Sequence, residues 1–169
     1  MLLARHIIFT LGLLSLLSAC GFQLRGSGGS ALPESWYDMY LVTGNPNSEL
    51  SREIESSLAA NGVNWVAQKK ANYLIKVGAE SFTQRNLSLN AQARAADFEL
   101  TLSTYFTVVD PQGKEIIEKS QLSVLRQMEN DPRNVVGKAE ETRILRSEMR
   151  SELVRKIIRR IAFFAASTQ

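Results

Sequence analysis

From Phe98 to Val108 the chain alternates without a break. Phe98, Leu100, Leu102, Thr104, Phe106 and Val108 occupy one set of positions, and Glu99, Thr101, Ser103, Tyr105 and Thr107 the other. Successive side chains of a strand point to opposite faces, so this pattern demands a strand with one buried and one wet face. It commits the fold to a sheet covered on one side, and other segments must supply the cover. Two do. In "NPNSELSREIESSLAANGV", Leu50, Ile54 and Leu58 recur every four residues, Asn47 or Ser48 can cap the free N–H groups, and Asn61-Gly62 supplies a left-handed stop. These signals predict a helix of about fourteen residues, with Glu49 at the positive end of its dipole. Near the end of the chain, Leu145, Met149, Leu153, Ile157 and Ile161 form a longer apolar line, widened by Val154, Ile158 and Phe164.

Three further segments complete the sheet. "WYDMYLVTG" is aromatic and β-branched and ends at Gly44 and Pro46, as a first strand would. "YLIKVGAESFTQR", Tyr73 to Arg85, reads as a second strand. It is reached through a helical crossover, so the first two strands should lie parallel with a right-handed connection. The alternating run is the third. Asp110-Pro111-Gln112-Gly113 is a tight turn with Pro at its second position, leading into "KEIIEKSQLSVLRQ" as the fourth. The expected fold is α+β, a two-layer sandwich in the order β-α-β-β-β-α. It has a four-stranded mixed sheet with two helices on one face, in a single domain over residues 36–166.

The N-terminus carries a different message. Met1 to His6 holds one fixed positive charge, Arg5, and Ile7 to Leu17 is an almost wholly apolar run of about eleven residues. That is too short for a membrane-spanning helix, which needs ~20 residues. Small residues then precede Cys20. This is the order of a secretory signal, so residues 1–19 are expected to be removed. The tetrad Leu17-Ser18-Ala19-Cys20 resembles the bacterial lipobox, which implies cleavage before the cysteine and acylation of Cys20. Several acyl chains make anchoring effectively permanent, where one gives only marginal binding. Gly21 stands where an aspartate would resemble an inner-membrane retention signal, so the outer membrane is the expected destination. Residues 20–35, rich in Gly and Ser, read as a lipidated N-terminus and flexible tether.

Processing also removes chemistry. The chain has one cysteine and one histidine, and both His6 and the free thiol of Cys20 are lost from the mature form. Losing Arg5 lowers the net charge from +3 to +2. Ser-His and Cys-His nucleophile pairs, disulfides and the usual zinc sites are therefore excluded. Carboxylate-only hydrolysis stays formally open through Asp97 and Glu99, two residues apart on one strand face. Paired carboxylates on a strand are far more often a solvated face. No enzymatic activity and no cofactor or metal is expected. Nucleic acid is not an expected partner either, since the basic residues lack an interleaved aromatic platform.

Three stretches, "CGFQLRG", "NPNSELSREIESSLAANGV" and "NDPRNVVGKAEETRILRSEMRSELVRKIIRRI", together resemble the LptE family of lipopolysaccharide-assembly lipoproteins over nearly the whole mature chain. The resemblance implies a protein that sits as a plug inside the outer-membrane β-barrel LptD and assists its assembly. The pair would insert lipopolysaccharide into the outer leaflet, with direct binding of that lipid. The polar face of the third strand would then meet either solvent or the polar wall of a barrel lumen.

The basic residues from Lys138 onwards read first as a solvated helix face laced with i,i+4 pairs. As candidate ligands for lipid phosphates, Lys138 at the helix start and Arg94 in the turn between strands two and three stand at element ends. Lys138 matches a basic position in the family's stretch. "NAQARAAD" departs from the family pattern in where it holds its arginine, and Arg85 is a substitute candidate. Arginine's planar fork matches a phosphate, and lysine acts as a point charge. A second reading is an auxiliary lipid-binding lipoprotein of an envelope ABC transporter, and a third a hydrolase relying on Ser or Asp alone.

Overall fold

The computed structural model describes residues 32–89, 95–130 and 135–167. The expected signal segment, Cys20, most of the expected tether and Arg94 lie outside them. The architecture is α+β, a mixed sheet carrying two helices on one face.

Strand β1 (Asp38–Thr43) leads to helix α1 (Glu49–Ala59). Ser48 is the cap: its Oγ accepts from the Ser51 N–H at 3.1 Å. Beyond the helix, Gly62 adopts φ +93°, the left-handed conformation expected of the stop. Leu50, Ile54 and Leu58 are buried, as their spacing requires. A two-residue strand, β2 (Asn64–Trp65), then runs parallel beside β1. On the other edge of β1, β3 (Tyr73–Val77) is also parallel, with Leu41 opposite Ile75.

The stretch expected as one second strand is two. After β3 the chain continues as β4 (Ser81–Leu89), and both pair antiparallel with β5 (Ala95–Val109). Between them Gly78, Ala79 and Glu80 face only Thr104 and Tyr105, because Val77 pairs with Phe106 and Ser81 with Ser103. One extra residue is thus inserted as a bulge. The Gly78 N–H still donates to Tyr105 O at 2.8 Å, and Thr104 Oγ1 donates to Gly78 O at 2.9 Å. That bond explains why a threonine stands in the apolar register of β5 and is only 1% exposed. Counting β2 and the split, the sheet has six strands, not the expected four.

Strand β6 (Glu115–Glu129) pairs antiparallel with the whole other edge of β5. Helix α2 (Val135–Ser167) is 33 residues, about 50 Å long. It runs back along the sheet, with Thr142 contacting Met128 and Lys156 Nζ donating to Ser123 O at 2.8 Å. Met149, Leu153, Ile157 and Ile161 are fully buried, while Leu145 is half-buried. Under α1 and the second half of α2 lies a core of Met39, Ile75, Phe106, Val108 and Ile117. A second cluster, with Leu100, Leu102 and Val124, lies under Met149 and Leu153.

Among the described residues, the opposite face of the sheet carries no helix. It is less wet than the alternation implies: Ser103 and Thr107 are buried there, since β5 has neighbours on both edges. Thr107 Oγ1 donates to Ile117 O at 2.7 Å and Gln121 Nε2 to Ser103 Oγ at 3.3 Å, so neither hydroxyl lacks a partner.

Candidate functional site

At the end of the sheet where the β4–β5 hairpin terminates, Asn130 N–H donates to Ala96 O at 2.7 Å. Lys138, in the first turns of α2, reaches into this corner. Its Nζ donates to Glu129 O at 3.0 Å and to Asn130 Oδ1 at 2.7 Å, and lies 4.7 Å from the centre of the Phe98 ring. The ammonium is held by two neutral oxygens and an aromatic face, and among the described residues it has no carboxylate partner. Arg94 falls between Leu89 and Ala95 in the sequence, outside the described residues.

Arg85 is placed differently. Asn86 pairs with Phe98, on the helix-bearing face, and Arg85 pairs with Glu99 on the bare one. Lys138 and Arg85 therefore lie on opposite faces of the sheet and form no common site. The Arg85 fork is engaged by Glu99, with Nε to Oε1 at 2.6 Å and Nη2 to Oε2 at 3.0 Å. The hydrogen bond from Arg85 holds the Glu99 carboxyl below the usual range. Asp97 accepts from Ser88 Oγ across the same face, so both carboxylates weighed for hydrolysis are occupied by strand partners. Among the described residues no group of His, Cys, Asp or Glu is arranged to hold a metal ion.

The densest charged cluster lies elsewhere, and sequence reasoning missed it. Glu80, in the bulge, accepts from Arg146 Nε and Nη2 at 2.9 and 2.6 Å and from Arg150 Nε at 2.6 Å. Arg150 also reaches Glu49 at 2.6 Å, joining the bulge, α2 and the first turn of α1. Burial alone would push the Glu80 carboxyl up; hydrogen bonds from Arg150 and Arg146, with their charges, outweigh it and hold the group below its ordinary value. The hydrogen bond to Glu80 raises Arg150 in turn, against the effect of burial. A cavity of about 480 Å³, lined by Thr43, Ser48, Gly78 and this cluster, opens at the ends of the parallel strands. Its two cations are met by two carboxylates, so the cluster works as a clasp between elements. The available signal was the i,i+4 spacing of Arg146 and Arg150, which places both on one helix face. Of the expected intrahelical pairing, α2 contains Glu152 with Lys156 at 3.6 Å and Glu140 with Arg143 at 2.6 Å.

Comparison with known proteins adds a second line. A family model described as LptE, lipopolysaccharide-assembly, matches residues 38–161. The "LPS-assembly lipoprotein LptE" of Yersinia pestis strain Pestoides F is 31% identical over 162 residues, covering 93% of this chain and 76% of the relative. The same protein of Yersinia pseudotuberculosis serotype O:1b gives the same figures. Among solved structures, rare lipoprotein B from Shewanella oneidensis superposes with a TM-score of 0.70 at 24% identity, covering 78% of this chain and 98% of that one. Uncharacterized lipoprotein B from Nitrosomonas europaea gives 0.73 at 22% identity, covering 86% and 93%. These two likenesses concern the fold.

Proposed function

The chain belongs to the LptE family of lipopolysaccharide assembly, a family of non-enzymatic lipoproteins, and on that premise we propose that it plugs and helps assemble an LptD-type β-barrel. In this reading residues 1–19 are removed and Cys20 is acylated. Residues 20–35 tether a domain of residues 36–166 to the periplasmic side of the outer membrane. The complex takes part in inserting lipopolysaccharide into the outer leaflet, and the lipoprotein binds that lipid directly.

The observation that carries the plug reading is the helix-free face of the sheet. Ser81, Thr83, Gln121, Ser123 and Gln127 are exposed there and able both to donate and to accept, beside the paired Arg85 and Glu99 and the cations Lys76 and Lys119. Such a polar face can hydrogen-bond to the polar interior of an outer-membrane barrel. A photoreactive side chain at Thr83 or Ser123 should form an adduct with a large β-barrel protein in cells. Adducts with soluble periplasmic proteins alone would refute the assignment of this face.

Lipopolysaccharide binding is assigned to the other feature, the corner holding Lys138, with Arg94 as the second candidate from the sequence. Lys138 supplies an ammonium that, among the described residues, meets only neutral oxygens and the Phe98 ring. Arg85 would have to release Glu99 before it could take a phosphate. Changing Lys138→Glu together with Arg94→Glu should weaken lipopolysaccharide binding, with unfolding free energy lowered by about 1–2 kcal/mol through the lost Lys138 hydrogen bonds and Phe98 contact. Undiminished binding in that double variant would remove both residues from the site.

A further inference from the structure

Helix α2 changes character along its length. In its first half each arginine has a carboxylate: Arg143 meets Glu140, Arg146 meets Glu80, and Arg150 meets Glu80 and Glu49. After Glu152 the chain contains no acidic residue, while Arg155, Lys156, Arg159 and Arg160 follow. Among the described residues Arg155 and Arg159 have neither an ion pair nor a hydrogen-bond partner from their side chains. Arg160 lies 6.0 Å from the Phe164 ring.

These residues share one face. Ile157, Ile161 and Ala165 point into the core, so Arg155, Arg159 and Phe163, each four residues apart, line the outward side with Arg160 beside them. Phe163 is 71% exposed, the most exposed large hydrophobic among the described residues. Unpaired guanidinium groups around an exposed aromatic ring match an anionic lipid surface: the cations meet headgroup phosphates and the ring enters the boundary. No described helix is long and apolar enough to cross a membrane, so such contact would lie along the surface.

The position of the anchor supplies the occupant. Leu32, the first described residue, is 2% exposed and belongs to the same core cluster as Ile161 and Ala165. Thr142 lies by Met128 and Lys156 by Ser123, so α2 runs toward the end of the sheet where β6 begins. Trp36, four residues after Leu32, stacks on Tyr73 at that same end, and Cys20 precedes Leu32 by twelve residues. Twelve extended residues span at most ~40 Å, so the leaflet holding the acyl chains is within reach of this helix end.

We infer that the outward face of the last turns of α2, built from Arg155, Arg159, Arg160 and Phe163, docks onto anionic phospholipid headgroups of the leaflet that holds the Cys20 anchor. The inference rests on the lipidation of Cys20. It makes the polybasic face a second membrane signal beside the acyl chains, one that sets the orientation of the domain.

The test uses the full lipidated chain. Cys20 is the only cysteine and is acylated, so a nitroxide on Ala166→Cys, in the same outward arc, reports on this helix end alone. The protein is reconstituted in vesicles of phosphatidylcholine, with and without phosphatidylglycerol. In the anionic vesicles the label should lose access to a water-soluble nickel relaxant. Access should return at high salt, or when Arg155, Arg159 and Arg160 are all changed to Glu. Equal access in both kinds of vesicle, or indifference to the triple change, would overturn the inference. So would loss of access that appears only when the barrel is reconstituted as well, whatever the lipid, since the face would then bind protein. A chain that fails to anchor in neutral vesicles would instead contradict lipidation of Cys20. In that event, salt-sensitive cosedimentation with anionic vesicles, lost in the triple variant, would still support the face, and its absence would refute it.

Discussion

Glu80 ties together parts of the chain that sequence keeps far apart. It sits in a bulge where the strand pattern reads through unbroken, and its partners are 66 and 70 residues away. Nothing local announces that meeting. The spacing of Arg146 and Arg150 shows a shared helix face but not what it faces. Replacement Glu80→Gln leaves Arg150, whose side chain is 8% exposed, with only Glu49 as a charged partner. Chemical denaturation should show a loss of about 2 kcal/mol. Arg146 is 43% exposed, so Arg146→Ala should cost less, below about 1 kcal/mol. The pH dependence has a definite sign. The folded-state carboxyl of Glu80 is held below its unfolded value. Its contribution is therefore complete above about pH 4.5 and is lost as pH falls through the lower folded value. The stability difference between parent and Glu80→Gln should shrink on acidification below pH 4.5 and stay constant near neutrality; a difference that grew in acid would contradict the clasp.

At the level of elements, what could be read in advance was what is written locally. Helix α1 was legible because cap, apolar stripe and stop are all short-range signals, and β5 because its alternation is long. Two elements were not. Strand β2 has two residues, too few for any periodicity, and exists because β1 offers it a parallel edge. The break between β3 and β4 arises where β5 presents two residues to three, a property of the pairing and not of either segment. Gly62 gives the sharpest test of an element boundary. Its φ is +93°, and an added Cβ would lie 3.2 Å from Tyr37 Cε1, tight as well as strained. Gly113 has φ +88° with open space around it. Gly62→Ala should therefore lower stability more than Gly113→Ala, with the latter costing about 1 kcal/mol. Equal losses at the two sites in thermal unfolding would mean that contact with Tyr37 plays no part. Within α2, Leu153 is fully buried, and Leu153→Ala should cost about 3 kcal/mol in the same measurement.

At the scale of the whole molecule, α2 runs about 50 Å between the two ends to which functions are proposed. One carries Asn130 and Lys138; the other carries Arg155 and Arg159, which have no ion pair among the described residues. This polarity fits a subunit held at the inner leaflet while its far end enters a barrel. Sequence alone names candidate cations but not their grouping. Lys138 and Arg85 look equivalent as isolated cations, and only the register places them on opposite faces. The central claim is that this domain lives inside a β-barrel. Purification of the tagged, lipidated chain in mild detergent, followed by mass spectrometry, tests it most directly. The account predicts an LptD-type barrel recovered in near-equal amount with the bait; recovery of the lipoprotein without any large β-barrel would contradict it.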